Sequence, residues 1–393
     1  MHTRPCWVEI NTRSFENNFR FLADLAGPHV DLLAIVKANA YGHSLRLCAP
    51  AAVRAGAEWL GVTSVEEGIE ARRLCADTRI LVIGGAFPGQ GKDVLHHKLT
   101  PIVWDAWQFD ELEDAARAAD MRSVSIHLEI DTGMSRQGAD LQSLPSLLAR
   151  FHRDSPLRLE GVMTHLFAAD EADEAVTDNQ LELLEDALSL INTTGVHPGV
   201  LNVGNTAALL AGQAPKISAL ASRFGMKTLI RPGLALYGLV PEYDPGFLSS
   251  EPISLGRSRR ELRPVLSWKS RVVSVRSIAP GAVVGYNGTF VATEPMRLAL
   301  VAAGYADGLD RQLGNRFELL VRGQRAPLVG RISMDQSVID VTDISDVAAG
   351  DEVVILGSQI SESITAFDHA KATDTIPWEI FTRIGERVPR IAI

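Results

Sequence analysis

The stretch AIVKANAYGHS, residues 34–44, sets an apolar run directly against a lysine. Ala34, Ile35 and Val36 read as the end of a buried strand, Lys37 follows at once, and the turn-rich Asn39, Tyr41, Gly42 and His43 come next. A lone lysine at a strand end is ordinarily a solvated or snorkelling residue. At the C-terminal end of a barrel strand, however, it would stand where (β/α)8 proteins keep their active-site residues. The rest of the first 240 residues decides between these readings.

Working outward, β-rich runs recur as LLAIVK, WLGVT, ILVIGG, TPIVW, VSIHLEI, LEGVMTH, GVLNVGN and LIRPGLALYG. Helix-like segments such as SVEEGIEARRLC, AWQFDELEDAARAAD, LQSLPSLLARFH and EAVTDNQLELLEDALSLIN lie between them, and TRSFENNFRFLADLAG precedes them with Phe15, Phe19 and Leu22 on one face. Eight such alternations over about 240 residues predict an α/β fold, a TIM-type (β/α)8 barrel spanning residues 1–240. An open doubly wound sheet shows the same alternation, but no G-x-G-x-x-G follows the first strand to support dinucleotide binding.

Beyond residue 240 the texture changes. PEYDPGFLSSEPISLGRSRRELRP, rich in Pro, Gly, Ser and charge, reads as a loop or linker. The runs WKSRVVSVRSI, AVVGYNG, RLALVAAG, FELLVRG, APLVGRISM, SVIDVTD and DEVVILG then predict a mostly β domain over residues 241–393, with the short N-terminal strand packing on it.

Composition bounds the function. The 393 residues are 46% hydrophobic and 22% charged, an ordinary globular balance with room for two cores. A formal net charge of -10 disfavours nucleic acid and anionic membranes as partners. There is neither a long apolar span nor an apolar signal core, and Cys6, Cys48 and Cys75 have no metal-ligand spacing; a reducing cytoplasm and no metal site are expected.

The polar residues fall where barrel chemistry needs them. Lys37 follows strand one, Arg136 in DTGMSRQG follows strand five, His165 in VMTHLF follows strand six, Asn205 and Thr206 in NVGNT follow strand seven, and Arg231 and Gly233 in IRPG belong to strand eight. Loops after strands seven and eight commonly hold phosphate in such barrels. A lysine that acts as a nucleophile needs burial or neighbouring positive charge to bring its amine down from a pKa of about 10.4.

VKANAYGH, DTGMSRQG, MTHLFAADE, RPGLALYG, VGYNGTF, VAAGYADG, RAPLVGRISMDQ and ERVPRI, in this order across both predicted domains, give the chain a likeness over almost its whole length. It resembles the alanine racemase family of fold-type III pyridoxal-phosphate enzymes. The resemblance implies pyridoxal 5'-phosphate held covalently by Lys37, with contacts from Tyr41, His165, Asn205, Thr206, Arg231, Gly233, Leu234 and Trp378. It implies Tyr286 as a second acid/base, supplied by the other subunit of a homodimer, with His165 and Arg231 supporting it. Lys37 would act on the D face of the substrate and Tyr286 on the L face. Arg231 would face the pyridine nitrogen, to which a guanidinium cannot give a proton. Arg136 and Met334 would hold the carboxylate of a small amino acid, with Tyr305 at the entrance. The implied function is interconversion of L- and D-alanine, with D-alanine serving peptidoglycan. A broader small amino-acid racemase, taking serine, and a non-catalytic pyridoxal-phosphate carrier are the alternatives.

The chain departs from the family pattern in places. Glu129 stands where many members carry a carbamylated lysine, and is expected to hold Arg136 by its charge. Trp378 stands where a phosphate-binding tyrosine is common, and Thr206 and Ser44 replace serine and glycine.

Overall fold

A computed structural model describes residues 4–244 and 252–393. Eight parallel strands, Val30–Ile35, Trp59–Val62, Arg79–Val82, Thr100–Val103, Val124–Glu129, Leu157–Met163, Val200–Asn205 and Lys227–Arg231, close into a barrel. Closure places Val30, Asp31 and Leu32 opposite Thr228, Leu229 and Ile230. The strands are mostly apolar because both of their faces are largely covered. Leu33, Leu60, Leu81, Ile126, Val162 and Leu201 expose nothing, and burying each such side chain contributes about 1.5–3 kcal/mol. Helices Leu45–Ala55, Val65–Leu74, Gly91–His96, Ala106–Ala118, Leu144–Leu148, Ala175–Thr193 and Ala214–Arg223 lie between successive strands.

This barrel, Arg13–Ala40 with Leu45–Arg263, is one of two compact units. Helix Thr12–Ala26 belongs with it: Phe15 packs on Tyr237 at 5.5 Å between ring centroids, and Asn18 donates to the carbonyls of Leu236 and Arg263 at 3.1 and 2.8 Å.

The other unit gathers the N-terminal segment through Thr12, Tyr41–Ser44 and Pro264–Ile393. Its central strand, Leu266–Ile278, pairs antiparallel with Cys6–Ile10, Met296–Val301 and Glu352–Gln359. Cys6–Ile10 also runs parallel to Arg390–Ala392. Residues 41–44 fold with this unit through tight contacts. A side chain at Gly42, whose φ is +76°, would meet the Phe381 carbonyl at 2.3 Å, and the Gly42 carbonyl accepts from Arg390 Nε at 3.0 Å.

Three segments differ from the sequence reading. Ile253–Glu261 is a helix within the stretch read as linker, of which residues 245–251 lie outside the described residues. Its sequence lacks an apolar period, and only Leu255 and Ser258 are buried. The LQSLPSLLARFH helix shrinks to Leu144–Leu148, with Pro145 in its first turn, the place a helix tolerates proline. LIRPGLALYG stops being strand at Arg231, and Leu234–Tyr237 is a 3-10 turn. Among the described residues no helix is long and apolar enough to cross a membrane.

One buried titratable group inside the barrel contributes to its acid sensitivity. His127 is fully buried beneath Trp59, at 5.6 Å between ring centroids, and its ring occupies the space that a side chain at Gly161 would need. Burial, aided by the charges of Arg79 and Arg231, pushes its pKa down to about 3. The Glu160 carboxylate, 3.9 Å from Nε2, is too distant to hydrogen-bond and does not hold a proton on the ring. The unfolded chain therefore takes up this proton below about pH 6.5 while the folded chain resists it until about pH 3. That difference removes about 1.4 kcal/mol of stability per pH unit over the window as pH falls. Urea denaturation of His127→Gln between pH 6 and pH 4.5 is expected to show a slope of stability against pH shallower by about that amount; an unchanged slope would contradict a neutral buried imidazole.

Candidate active site

The turn that carries Lys37 is built against the intrinsic preference of its residues. Ala38, Asn39, Ala40 and Tyr41 all lie in the left-handed helical region, with φ between 50° and 55°. L-residues there cost roughly 1–2 kcal/mol each, or about 4–8 kcal/mol for four. Local hydrogen bonds offset part of this. Ala40 N–H donates to the Val36 carbonyl at 2.8 Å, Leu45 N–H to Asn39 Oδ1 at 2.7 Å, and Ala38 N–H to Glu67 Oε1 at 2.6 Å. The left-handed turn leaves Lys37 directly beyond the apolar strand end.

At the same end of the barrel, Arg231 closes the last strand with only 4% of its surface exposed. Its Nη1 donates to the carbonyl and to Oδ1 of Asn202, both at 2.7 Å, and its Nη2 to the Thr164 carbonyl at 3.0 Å. Burial lowers its pKa to about 10, the Glu129 charge pulling the other way, so the guanidinium remains charged near neutrality. Nη2 also lies 3.2 Å from His165 Nδ1. Because a guanidinium only donates, Nδ1 is the acceptor and the imidazole proton sits on Nε2. Burial first, then the charges of Arg231, Arg136 and Lys37, push the His165 pKa down to about 3. His165 is thus a neutral N–H donor, not the cation that help for a phenolate would suggest.

The same field acts on Lys37. Burial lowers its amine below the ordinary lysine value, Arg136 and Arg231 lower it further, and Glu67 opposes them. Arg136 is exposed on a loop shaped by Asp131, whose Oδ1 accepts from the N–H groups of Gly133 and Ser135 at 2.9 and 3.1 Å. Glu129 is buried and raised to about 7 by desolvation, which Gln137, Arg231 and Arg136 only partly offset. Among the described residues its hydrogen-bond donor is Gln137, not Arg136 as its position suggested; Arg136 influences it by charge.

Opposite, Thr206 Oγ1 accepts from Gly233 N–H at 2.9 Å and Ala235 N–H at 3.5 Å, joining the strand-seven loop to the 3-10 turn that begins at Leu234. With these bonds accepted, the hydroxyl retains its own hydrogen to donate. Asn205 is committed to structure: Oδ1 caps the short helix Thr206–Leu210 at Ala208 N–H, 3.0 Å, and Nδ2 donates to the Leu166 carbonyl at 3.0 Å.

The remaining predicted residues belong to the β unit. Tyr286 sits at the tip of the hairpin formed by Val283–Val284 and Phe290–Val291 and is 65% exposed. Tyr305 and Met334 lie on two loops bound together, with Tyr305 N–H donating to the Ser333 carbonyl and Ala306 N–H to the Met334 carbonyl, both at 3.0 Å. Both side chains are exposed, and their loops are locked by Asp307. That carboxylate is buried and accepts from Arg4, from Arg387 Nε at 2.8 Å and from Gly304 N–H at 2.9 Å. Trp378 opens helix Pro377–Arg383, and Tyr41 is raised to about 12 by burial. Sequence reasoning passed over Asn202, Thr164, Glu67 and Asp307. The one available signal was an asparagine inside the buried run VLNVGN.

Lys37, Arg136 and Arg231 place three basic groups in one field against Glu67 and a Glu129 carboxyl raised by burial. This excess of positive charge, with a donor hydroxyl at Thr206, fits an anionic phosphorylated cofactor and a substrate carboxylate. Such a field around a lysine at the end of a parallel barrel, with a β unit following, matches the class of barrel-type pyridoxal-phosphate enzymes. Residues 10–241 match the alanine racemase N-terminal domain and residues 265–392 the alanine racemase C-terminal domain. An alanine racemase of Halothermothrix orenii is 35% identical, covering 99% of this chain and 97% of that protein. The alanine racemase structure from D-cycloserine producing Streptomyces lavendulae is 34% identical with a TM-score of 0.87, covering 100% of this chain and 98% of that one. That of Bartonella henselae, with covalently bound pyridoxal phosphate, is 27% identical with a TM-score of 0.80 and covers 99% of each. The chain belongs to the alanine racemase family. The match to the C-terminal domain includes Tyr286, which a non-catalytic barrel carrier would not need.

Asn202→Ala removes an acceptor from a buried guanidinium, and hydrogen bonds to charged groups contribute about 1.5–3 kcal/mol. A loss of that size is expected in urea denaturation; a change under about 0.5 kcal/mol would show that Arg231 is held without Asn202.

Proposed function

We propose that this chain racemises alanine with two bases drawn from different subunits of a homodimer, Lys37 from one and Tyr286 of the partner subunit from the other. Family membership makes it an amino-acid racemase acting on alanine with pyridoxal phosphate as cofactor. The observation that carries the Lys37 part of this reading is its place directly beyond the apolar barrel strand, half-buried, with burial, Arg136 and Arg231 lowering its amine. An amine so placed is unprotonated more readily than a free lysine, and so serves both as attachment point and as base. When bound, pyridoxal phosphate withdraws electrons from the substrate Cα and makes its hydrogen acidic.

The chain's own residues do the rest. Lys37 removes or returns the Cα proton on the D face. Tyr286 of the partner subunit does so on the L face, its phenolate stabilised by a hydrogen bond from the neutral His165 Nε2–H, which Arg231 orients through Nδ1. Arg231, charged and unable to yield its proton, would face the pyridine nitrogen and leave it unprotonated. The Thr206 hydroxyl, Gly233 and Leu234 would hold the phosphate, with Asn205 shaping that loop; Tyr41 and Trp378 are assigned to the cofactor by family likeness. Arg136 would pair with the substrate carboxylate; Met334 and Tyr305 are assigned to the substrate by family likeness.

The exposure of Tyr286, Tyr305 and Met334 supports a shared site, since a base left in water would lose the field that activates it. A second copy would supply the cover. The location is the cytoplasm, and D-alanine for peptidoglycan is the product's use.

The shared site is tested by complementation. Lys37→Ala and Tyr286→Phe homodimers are each expected to lack racemisation. After subunit exchange at equal amounts, half of the dimers are hybrids with one intact site, giving about a quarter of wild-type activity. No recovery after exchange verified by native mass spectrometry would refute a site shared between copies.

A further inference from the structure

Glu67 lies outside the residues given a role above, yet its two carboxylate oxygens reach two different loops. Oε1 accepts Ala38 N–H at 2.6 Å, and Oε2 accepts Thr63 N–H at 2.8 Å. Its own N–H donates to Ser64 Oγ at 3.3 Å, the cap of helix Val65–Leu74. The cap alone explains the Oε2 bond, as a third-position glutamate commonly reaches back over a helix start. It does not explain the Oε1 bond, which crosses to the loop after the neighbouring barrel strand. Strands Val30–Ile35 and Trp59–Val62 are adjacent in the barrel, with Ile35 opposite Gly61, so the residues just beyond each are within reach of one side chain.

We propose that Glu67 is the positioning residue for Lys37: it clamps the first peptide of the left-handed turn to the end of the second barrel strand and so fixes where the lysine amine stands. The proposal rests on the reading of Lys37 as the functional amine and adds a residue to it. Three features meet at this contact. Ala38 is the first of four consecutive residues in a conformation disfavoured for L-residues, so the turn needs external restraint at its start. A carboxylate is the strongest acceptor available for a peptide N–H. The same carboxylate supplies negative charge to Lys37, opposing Arg136 and Arg231.

The restraint and the cap are separable by variants. Ser64→Ala weakens the helix cap without touching Ala38. Glu67→Ala removes both carboxylate bonds, and Glu67→Gln keeps one acceptor oxygen at nearly the same length. Hydrogen exchange of the peptide covering residues 37–45, read by mass spectrometry on the holoenzyme, is expected to accelerate at least about tenfold in Glu67→Ala, less in Glu67→Gln, and not in Ser64→Ala. Alanine racemisation by Glu67→Ala is expected to lose at least about tenfold in kcat with KM changed less than about twofold, and Glu67→Gln to recover part of kcat. Unchanged exchange at 37–45 in Glu67→Ala, or equal acceleration in Ser64→Ala, would overturn the proposal. The exchange measurement is independent of substrate: a loosened turn in a chain whose wild type fails to racemise alanine would sink the functional reading and leave the clamp standing.

Discussion

A lysine amine sits at the end of a buried strand among positive charges, and the rest of the molecule is arranged around that constraint. Placed in water, Lys37 would be protonated and unreactive; at the barrel end, burial and the charges of Arg136 and Arg231 work against its proton. Concentrating cations has a cost, since each desolvated charge must find partners. Arg231 meets it with Asn202, Thr164 and His165, and the result is a guanidinium whose position is determined by backbone carbonyls of two strands. One consequence is the neutral state of His165. Buried, and with cations around it, it resists protonation, and it offers a single directed N–H instead of a charge.

The backbone is arranged to the same end. A right-handed turn is the default for Ala, Asn and Tyr, and its replacement by a left-handed one after Lys37 is a strained solution held by Glu67, Asn39 and Val36. Strain of this kind persists where surrounding structure over-determines it, and it clusters at functional sites. On the β unit the equivalent device is Asp307, a buried carboxylate whose arginine partners bind the Tyr305 and Met334 loops into one surface. There too, burial alone would raise the carboxyl, but the bonds from Arg4 and Arg387 outweigh it and hold its pKa below the usual range.

The barrel was legible because its strands are short, mostly apolar runs rich in Val, Ile and Leu and separated by helical patterns, and the family motifs located the polar residues at the ends of those runs. What stayed hidden has physical reasons. The left-handed turn has no signature in KANAY, whose residues favour the opposite hand. Helix Ile253–Glu261 reads ISLGRSRRE, with its charges crowded at the C-terminal end, and has no apolar stripe to announce it. Glu67 and Asn202 act through partners distant in sequence, Ala38 and Arg231, which only the closed barrel brings near. Glu129 acts on Arg136 through charge, while its hydrogen bond goes to Gln137, which the sequence did not single out.

The central claim is that the barrel end depresses the Lys37 amine, and the titration of that amine tests it most directly. Cofactor-free protein, reductively methylated with carbon-13 and assigned by comparison with Lys37→Arg, reports the pKa of Lys37 by NMR. A pKa clearly below the free lysine value of about 10.4 is the predicted result. A value at or above it would contradict an amine made reactive by burial among arginines, and with it the electrostatic account of the site.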